Sequence, residues 1–379
     1  MIYFDNAATT WPKPEEVYQA VDQCMRRKGA NPGRSGHHMA LMAQQLVFET
    51  RELIAQLFNI TDPCRVVFTS NTTEALNLGI KGLLQRGDHV ITSSFEHNSI
   101  SRPLERLRGQ GIAVTKVAAP LDHGIVPSQV EAAIQADTRL IVLGHASNVT
   151  GCINPIREIG RIARAGGIVF MVDAAQTAGT IPIDVQAMGI DLLAFAGHKG
   201  MLGPQGTGGL YIKEGLRLLP LIEGGTGGNS ELFTQPEICP DRYESGTVNT
   251  PGISGLGAGV RFILKEGIEQ IRAKERSLTE QLLQGLEKIP GVILYGPLHG
   301  LERAPVVSFN IEDKEPADVS FMLDKMFDIA SRSGLHCAPD AHRTLGTFSQ
   351  GTVRLSLGYF NTAAEVKQCL EAVSIIAKV

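Results

Sequence analysis

Between residues 65 and 212 the chain repeats one alternation, a short apolar run followed by a stretch with helical spacing. The apolar runs are Arg65–Ser70, His89–Ser94, Ala113–Val117, Leu140–His145, Ile168–Asp173, Leu192–Ala196 and Gly208–Ile212. Most are rich in Val, Ile and Leu and do not alternate apolar with polar residues. A strand with one face in water alternates, and a strand covered on both faces does not, so these runs predict buried strands. Helix-like stretches such as Thr73–Gln85, Pro127–Gln135 and Ile156–Arg164 separate several of them. This order predicts an α/β fold with a mostly parallel central sheet.

The pattern changes after about residue 250. A long helix-like stretch, Gly255–Lys288, leads to a turn at Pro290-Gly291, then to two strands, Val306–Ile311 and Val353–Leu357, and two helices. The last helix opens with Thr362-Ala-Ala-Glu365, in which hydroxyl and carboxylate can each satisfy an open backbone N–H. The expectation is a large domain over residues 20–255 and a smaller C-terminal α+β domain over 256–379. Residues 1–19 form an N-terminal arm that packs with the smaller one.

Composition narrows the functional classes. With 43% hydrophobic and 20% charged residues in 379, the chain has the profile of a soluble globular protein. A net charge of -4 gives no electrostatic reason to expect nucleic acid or an anionic membrane as partner. No apolar run reaches the roughly 18 residues that span a bilayer. The start, MIYFDNAATT, lacks the basic and apolar regions of a signal peptide, so the expected location is the cytoplasm. Six cysteines without a C-x-x-C pair suggest neither a zinc ribbon nor a thioredoxin-type motif, and no metal site is expected. The G-x-G-x-x-G fingerprint of a nicotinamide-binding unit is also missing.

Five clusters carry candidate chemistry. Met171-Val-Asp-Ala-Ala-Gln176 places Asp173 at the carboxyl end of a strand, where open α/β sheets hold their ligands. A carboxylate there can pair with a protonated pyridine nitrogen, or it can cap the next helix. Phe195-Ala-Gly-His-Lys-Gly200 follows the next strand. A lysine near apolar and cationic groups becomes a usable amine nucleophile, and Gly197 and Gly200 allow a cofactor near the backbone. Thr69-Ser-Asn-Thr-Thr-Glu74 joins a strand to a helix, a phosphate-binding arrangement that is also an ordinary N-cap. In Phe95-Glu-His-Asn98, His97 can stack on an aromatic face, move protons, or be structural. Arg332-Ser-Gly-Leu-His-Cys-Ala-Pro339 is a loop whose Cys337 thiolate an arginine and a histidine can stabilise, though most free cysteines are small buried apolar groups. The other five cysteines lack such neighbours.

Taken together and in this order, the clusters resemble the class V aminotransferase superfamily and, within it, the cysteine desulfurases. The resemblance runs from Tyr3-Phe-Asp-Asn-Ala-Ala8 to Arg354 and Asn361-Thr362. It rests on Asp173-x-x-Gln176, Gly197-His-Lys199, Glu244-Ser-Gly-Thr247 with Asn249-Thr250, and Arg332-x-Gly-x-His-Cys-Ala338, which is similar to the SufS-like catalytic loop. It implies fold type I of the pyridoxal-phosphate (PLP) transferases, a homodimer, and sulfur transfer of the kind that feeds iron–sulfur cluster assembly.

By the same resemblance Lys199 would hold PLP as a Schiff base and move the substrate's α-proton. Asp173 would pair with the pyridine nitrogen and Gln176 with the phenolic oxygen, while His97 would stack on the ring. Thr72, Thr73 and His198 would bind the phosphate, with Thr250 supplied by the other subunit. Arg354, Asn148 and Arg332 would bind the substrate, L-cysteine or L-selenocysteine. Cys337 would take its sulfur as a persulfide for a thiol or protein acceptor. The chain departs from the family pattern at Ala196, where a serine is frequent, and at Leu335, where a histidine is. A selenocysteine lyase, a cysteine lyase, an aminotransferase and a non-catalytic regulator on this fold remain open.

Overall fold

A computed structural model describes residues 1–33, 35–120, 123–228, 231–298 and 302–379. Its strands are β1 (Ile2–Tyr3), β2 (Val66–Thr69), β3 (His89–Ser93), β4 (Ala113–Val117), β5 (Thr138–Gly144), β6 (Val169–Asp173), β7 (Leu192–Ala196), β8 (Gly208–Ile212), β9 (Val292–Tyr295), β10 (Val306–Ile311), β11 (Ile329–Ala330), β12 (Arg332–Gly334) and β13 (Thr352–Ser356). Seven form one sheet in the order β2-β8-β7-β6-β5-β3-β4. Only β8 runs antiparallel to its neighbours, β7 and β2, so the sheet is mostly parallel, as expected.

The continuous apolar runs have a direct cause. Successive side chains of a strand point to opposite faces, and here both faces are covered. Leu140, Val142, Met171, Leu192 and Ala194 pack into one hydrophobic layer. Their alternates Ile141, Leu143, Phe170, Val172, Leu193 and Phe195 pack into the other. The exception is β4, which lies at the sheet edge and exposes Ala113 and Lys116.

Beyond it, β12-β13-β10-β9 make a second, antiparallel sheet. Its core draws on Leu278, Leu282, Val307, Phe309, Leu355 and Val373, joined by Ile2 and Phe4 from the chain's start. β1 pairs in parallel with β11. The arm does not stay with this sheet, because Thr9 and Thr10 bond the carbonyl of His198 beside β7.

The helix-like stretch read as Gly255–Lys288 is two helices, Thr250–Glu266 and Ile268–Leu286. Gly267 separates them at φ 86°, a left-handed conformation that interrupts a right-handed helix. The first begins earlier than the apolar pattern indicates, because Asn249 caps it by accepting from Gly252 N at 3.1 Å. Residue 255 therefore lies inside a helix. The capping box of the last helix is present as read, with Thr362 N donating to Glu365 Oε2 at 2.7 Å. Among the described residues no helix is long and apolar enough to cross a membrane.

One helix meets its neighbour too closely for any side chain. A Cβ at Gly160, in the helix Ile156–Ala165, would overlap the carbonyl oxygen of Met188. Gly-to-Ala in a free helix gains about 1 kcal/mol. Here the obstacle is backbone, which cannot rotate aside, so overpacking wins. Gly160→Ala is expected to destabilise the protein by about 1–3 kcal/mol, measured as a lowered Tm.

Candidate active site

Strands β2, β3, β5, β6 and β7 all point the same way, so the loops at their carboxyl ends open on one edge of the sheet. Those loops carry Thr72–Thr73, His97, Asn148, Asp173 with Gln176, and His198 with Lys199. They meet around a cleft of about 250 Å³, which Arg332 and Arg354 of the second sheet also line. Ten of the twelve residues singled out from sequence face this one space.

At one end, Asn71 caps the helix Thr72–Leu83 by accepting from Glu74 N at 2.9 Å. Thr72 Oγ1 and His198 Nδ1 are buried polar atoms without a partner among the described residues. Thr73 Oγ1 lies 2.8 Å from Ser99 Oγ, which lies 2.8 Å from His97 Nδ1. His97 is itself the N-cap of the helix Asn98–Arg108, its Nδ1 accepting from Ser99 N at 3.1 Å. A nitrogen that accepts carries no proton. Burial, with Lys199 and the arginines nearby, lowers the ring to about 4, so His97 is neutral at pH 7. The structural and functional readings of this histidine are compatible: it caps a helix and faces the cleft.

Asp173 is buried, and its side chain's hydrogen bond is from Ala175 N at 2.8 Å. It caps a turn rather than a helix. Burial pushes its carboxyl up, while the Ala175 N–H and Lys199 pull it down. Burial likewise lowers the Lys199 amine to about 8; Asp173 raises it, and Arg354 and Arg332 lower it further. Gln176 Nε2 donates to Ala7 O at 3.1 Å. Gly197 and Gly200 are small for a reason other than cofactor approach. A Cβ on Gly197 would overlap the Thr207 side chain, and one on Gly200 would lie 2.6 Å from Ala178 O.

Arg354, 1% exposed, donates from Nη2 to Asp5 Oδ1 at 2.9 Å and from Nη1 to Asn148 O at 3.1 Å. Asn148 Nδ2 in turn donates to His336 O at 2.7 Å, so this residue also holds the cysteine loop. Cys337 does not line the cleft. It is exposed beside it, its Sγ 3.6 Å from Arg332 Nη2 and its carbonyl accepting from Asn98 N at 2.7 Å. Thr250 lies elsewhere, buried at the start of its helix with Oγ1 3.4 Å from Val248 O.

Two carboxyl groups here receive no role from the sequence. Glu96 is wholly buried and accepts from Ser93 Oγ at 2.5 Å and Gly144 N at 2.9 Å, tying the ends of β3 and β5. Burial pushes it up to about 8, so it is mostly neutral at pH 7. Its position directly before His97, after a buried strand, was the available signal. Asp5 lies within the Tyr3–Ala8 motif, but nothing there shows its partner, which is 349 residues away.

Residues 2–369 match the family described as aminotransferase class-V. A probable cysteine desulfurase of Methanothermobacter thermautotrophicus is 38% identical, the match covering 99% of this chain and 94% of that protein. A cysteine desulfurase IscS of Shewanella sediminis is 34% identical, over 98% and 92% of the two chains. Among solved structures, the apo cysteine desulfurase of Thermococcus onnurineus matches at a TM-score of 0.93 and 35% identity, over 100% of this chain and 94% of that one. The cysteine desulfurase CsdA of Escherichia coli matches at 0.90 and 31%, over 99% and 94%. With family match, sequence relatives and architecture agreeing along its whole length, the chain belongs to the aminotransferase class-V family.

Proposed function

We propose that this protein is a PLP-dependent cysteine desulfurase, which converts L-cysteine to L-alanine and keeps the sulfur as a persulfide on Cys337. The observation that carries this is the exposed Cys337 thiol, 3.6 Å from an arginine that also lines the lysine-bearing cleft. An aminotransferase has no use for a thiol there.

The residues present fit the cofactor. Unpartnered buried polar atoms are rare in native structures, and Thr72 Oγ1 and His198 Nδ1 are two on one side of the cleft. They suit phosphate oxygens, with Thr73 beside them. Asp173, a buried carboxylate with no cationic side chain hydrogen-bonded to it among the described residues, suits a protonated pyridine nitrogen. Neutral His97 suits the face of the ring. The second N–H of Gln176 Nε2 is available for the phenolic oxygen while the first stays on Ala7 O. PLP, when bound, supplies a covalent anchor for the substrate's amino group and a sink for its electrons.

The chain's own groups do the rest. Arg354 takes the substrate carboxylate through paired N–H groups, with Asn148 setting its direction. The Lys199 amine, at about 8, is roughly one-tenth neutral at pH 7, far more than an ordinary lysine. It takes the Cα proton. Cys337 Sγ, as thiolate, then attacks the substrate sulfur; the S–S bond forms as the substrate's Cβ–S bond breaks. The electron pair left on carbon is taken up by a proton at Cβ, Lys199 returns the proton to Cα, and alanine leaves. A thiol or a protein acceptor removes the sulfur from Cys337. Thr250, buried outside its own cleft, is read as completing the partner's cleft in a homodimer. Separate hydrophobic cores support a large domain ahead of a smaller C-terminal one.

Incubating the PLP-loaded protein with L-cysteine, with and without reductant, tests the reading by measuring alanine and sulfide together. Equal amounts of both under reductant are expected. Pyruvate in place of alanine would overturn it, and L-selenocysteine in a parallel arm ranks the two substrates.

A further inference from the structure

We propose that Asp5 is a positioning residue for the substrate carboxylate, holding the Arg354 guanidinium so that its remaining N–H groups are offered to the cleft. The inference rests on reading that cleft as an amino-acid site. A guanidinium has five N–H donors. One on Nη2 goes to Asp5 Oδ1 and one on Nη1 to Asn148 O. Nε is buried and has no partner among the described residues. Its N–H, with one on a terminal nitrogen, is the pair that matches the two oxygens of a carboxylate.

A carboxylate beside a binding arginine can act in two opposite ways: it can hold the arginine or compete for it. Two observations favour holding. The contact is a single one, oxygen to nitrogen, so Asp5 does not occupy a paired edge of the fork. Arg354 is also 1% exposed, and a guanidinium taken out of water needs a counter-charge before substrate arrives. Asp5 supplies it, and its field offsets part of the depression that Arg354 and Arg332 impose on Lys199.

Asp5 owes its own place to other contacts. Its backbone bridges Ser356, two residues beyond Arg354 on β13. Ala7 N donates to Ser356 Oγ at 2.8 Å, and Asn6 Nδ2 bonds Ser356 O at 3.1 Å and Asn361 Oδ1 at 3.2 Å. Further along, Thr10 Oγ1 donates to Lys199 O at 2.9 Å and Lys13 Nζ to His198 O at 2.6 Å. The arm is therefore a strap between the lysine loop and the arginine strand, and it stays in place when the Asp5 side chain is shortened.

The test titrates PLP-loaded wild type, Asp5→Ala and Asp5→Asn with L-alanine, and separately with L-alaninol, which lacks the carboxylate, following the cofactor absorbance. Asp5→Ala should weaken L-alanine about tenfold, the scale of one hydrogen bond to a charged group, and leave L-alaninol unchanged. Asp5→Asn keeps an acceptor of the same shape but not the counter-charge, and should restore only part of the affinity. Equal weakening of both ligands would make the role merely structural, and tighter L-alanine binding would make Asp5 a competitor; either overturns the proposal. No sulfur is released in this experiment, so it stands apart from the desulfurase assay: failure there with the expected result here would sink the reaction and leave Asp5.

Discussion

Lys199→Ala is expected to abolish turnover and to remove the visible absorbance of lysine-bound PLP. The side chain has two duties that no neighbour can assume: it anchors the cofactor, and it carries the α-proton. Loss of a positioned proton carrier alone costs about 10²–10⁴ in rate, and loss of the anchor adds to that. The surroundings explain why this lysine is suited to both. Burial and the two arginines Arg354 and Arg332 hold its amine at about 8, although Asp173 and Asp5 pull the other way. In wild-type apoprotein the rate of PLP uptake should therefore rise with pH, pass its midpoint near 8 and level off above that, because the neutral amine is the form that reacts. An uptake still rising steeply toward pH 10 would mean an unperturbed lysine. Retention of the absorbance band in Lys199→Ala would overturn the assignment of the anchor altogether.

Cys337→Ala should reduce sulfide release under reductant to background while the protein keeps its cofactor. The thiol's neighbours are few, so the substitution leaves the cleft intact. All six cysteines are described, and Cys337 alone is exposed. Burial raises the thiols of Cys24, Cys64 and Cys239 and pushes Cys369 up to about 12, which suits inert residues. The loop is also held in an unusual shape: His336 at φ 48° and Cys337 at φ 58° are consecutive left-handed residues without being glycine. Each costs on the order of 1 kcal/mol or more. The bonds from Asn98 N and Asn148 Nδ2, and that between His336 Nε2 and Thr352 O at 3.1 Å, hold it there. Such strain persists only where surrounding contacts over-determine it, and here they present the sulfur beside Arg332. Full sulfide release by Cys337→Ala would show that the sulfur goes elsewhere.

Much of the fold was legible because its signals are local. A strand packed on both faces must be apolar throughout, so Phe170–Val172 and Leu192–Phe195 announce themselves. Parallel strands send their carboxyl ends to one edge, so motifs that follow them share a site even before distances are known. The long helical run misled for an equally local reason: apolar spacing continues across Gly267, and only the backbone's left-handed turn there ends one helix and begins another. Gly197 was legible as small but not for its cause, which is Thr207, ten residues on and folded against it.

By itself, then, the sequence determined the α/β order, the edge of the sheet that carries the chemistry, and ten of the residues that line one cleft. Hydrophobic periodicity and motif spacing encode the first two directly, whereas Asn148 and Arg354 among the ten come from the resemblance to the family. The tertiary structure alone decided that Asp5 meets Arg354, that Asn148 carries the His336 carbonyl, and that Cys337 stands exposed at the side of the cleft in a left-handed loop. Those contacts join residues 188 and 349 positions apart in two cases. In the third, the surrounding contacts impose a backbone conformation that side-chain identity disfavours.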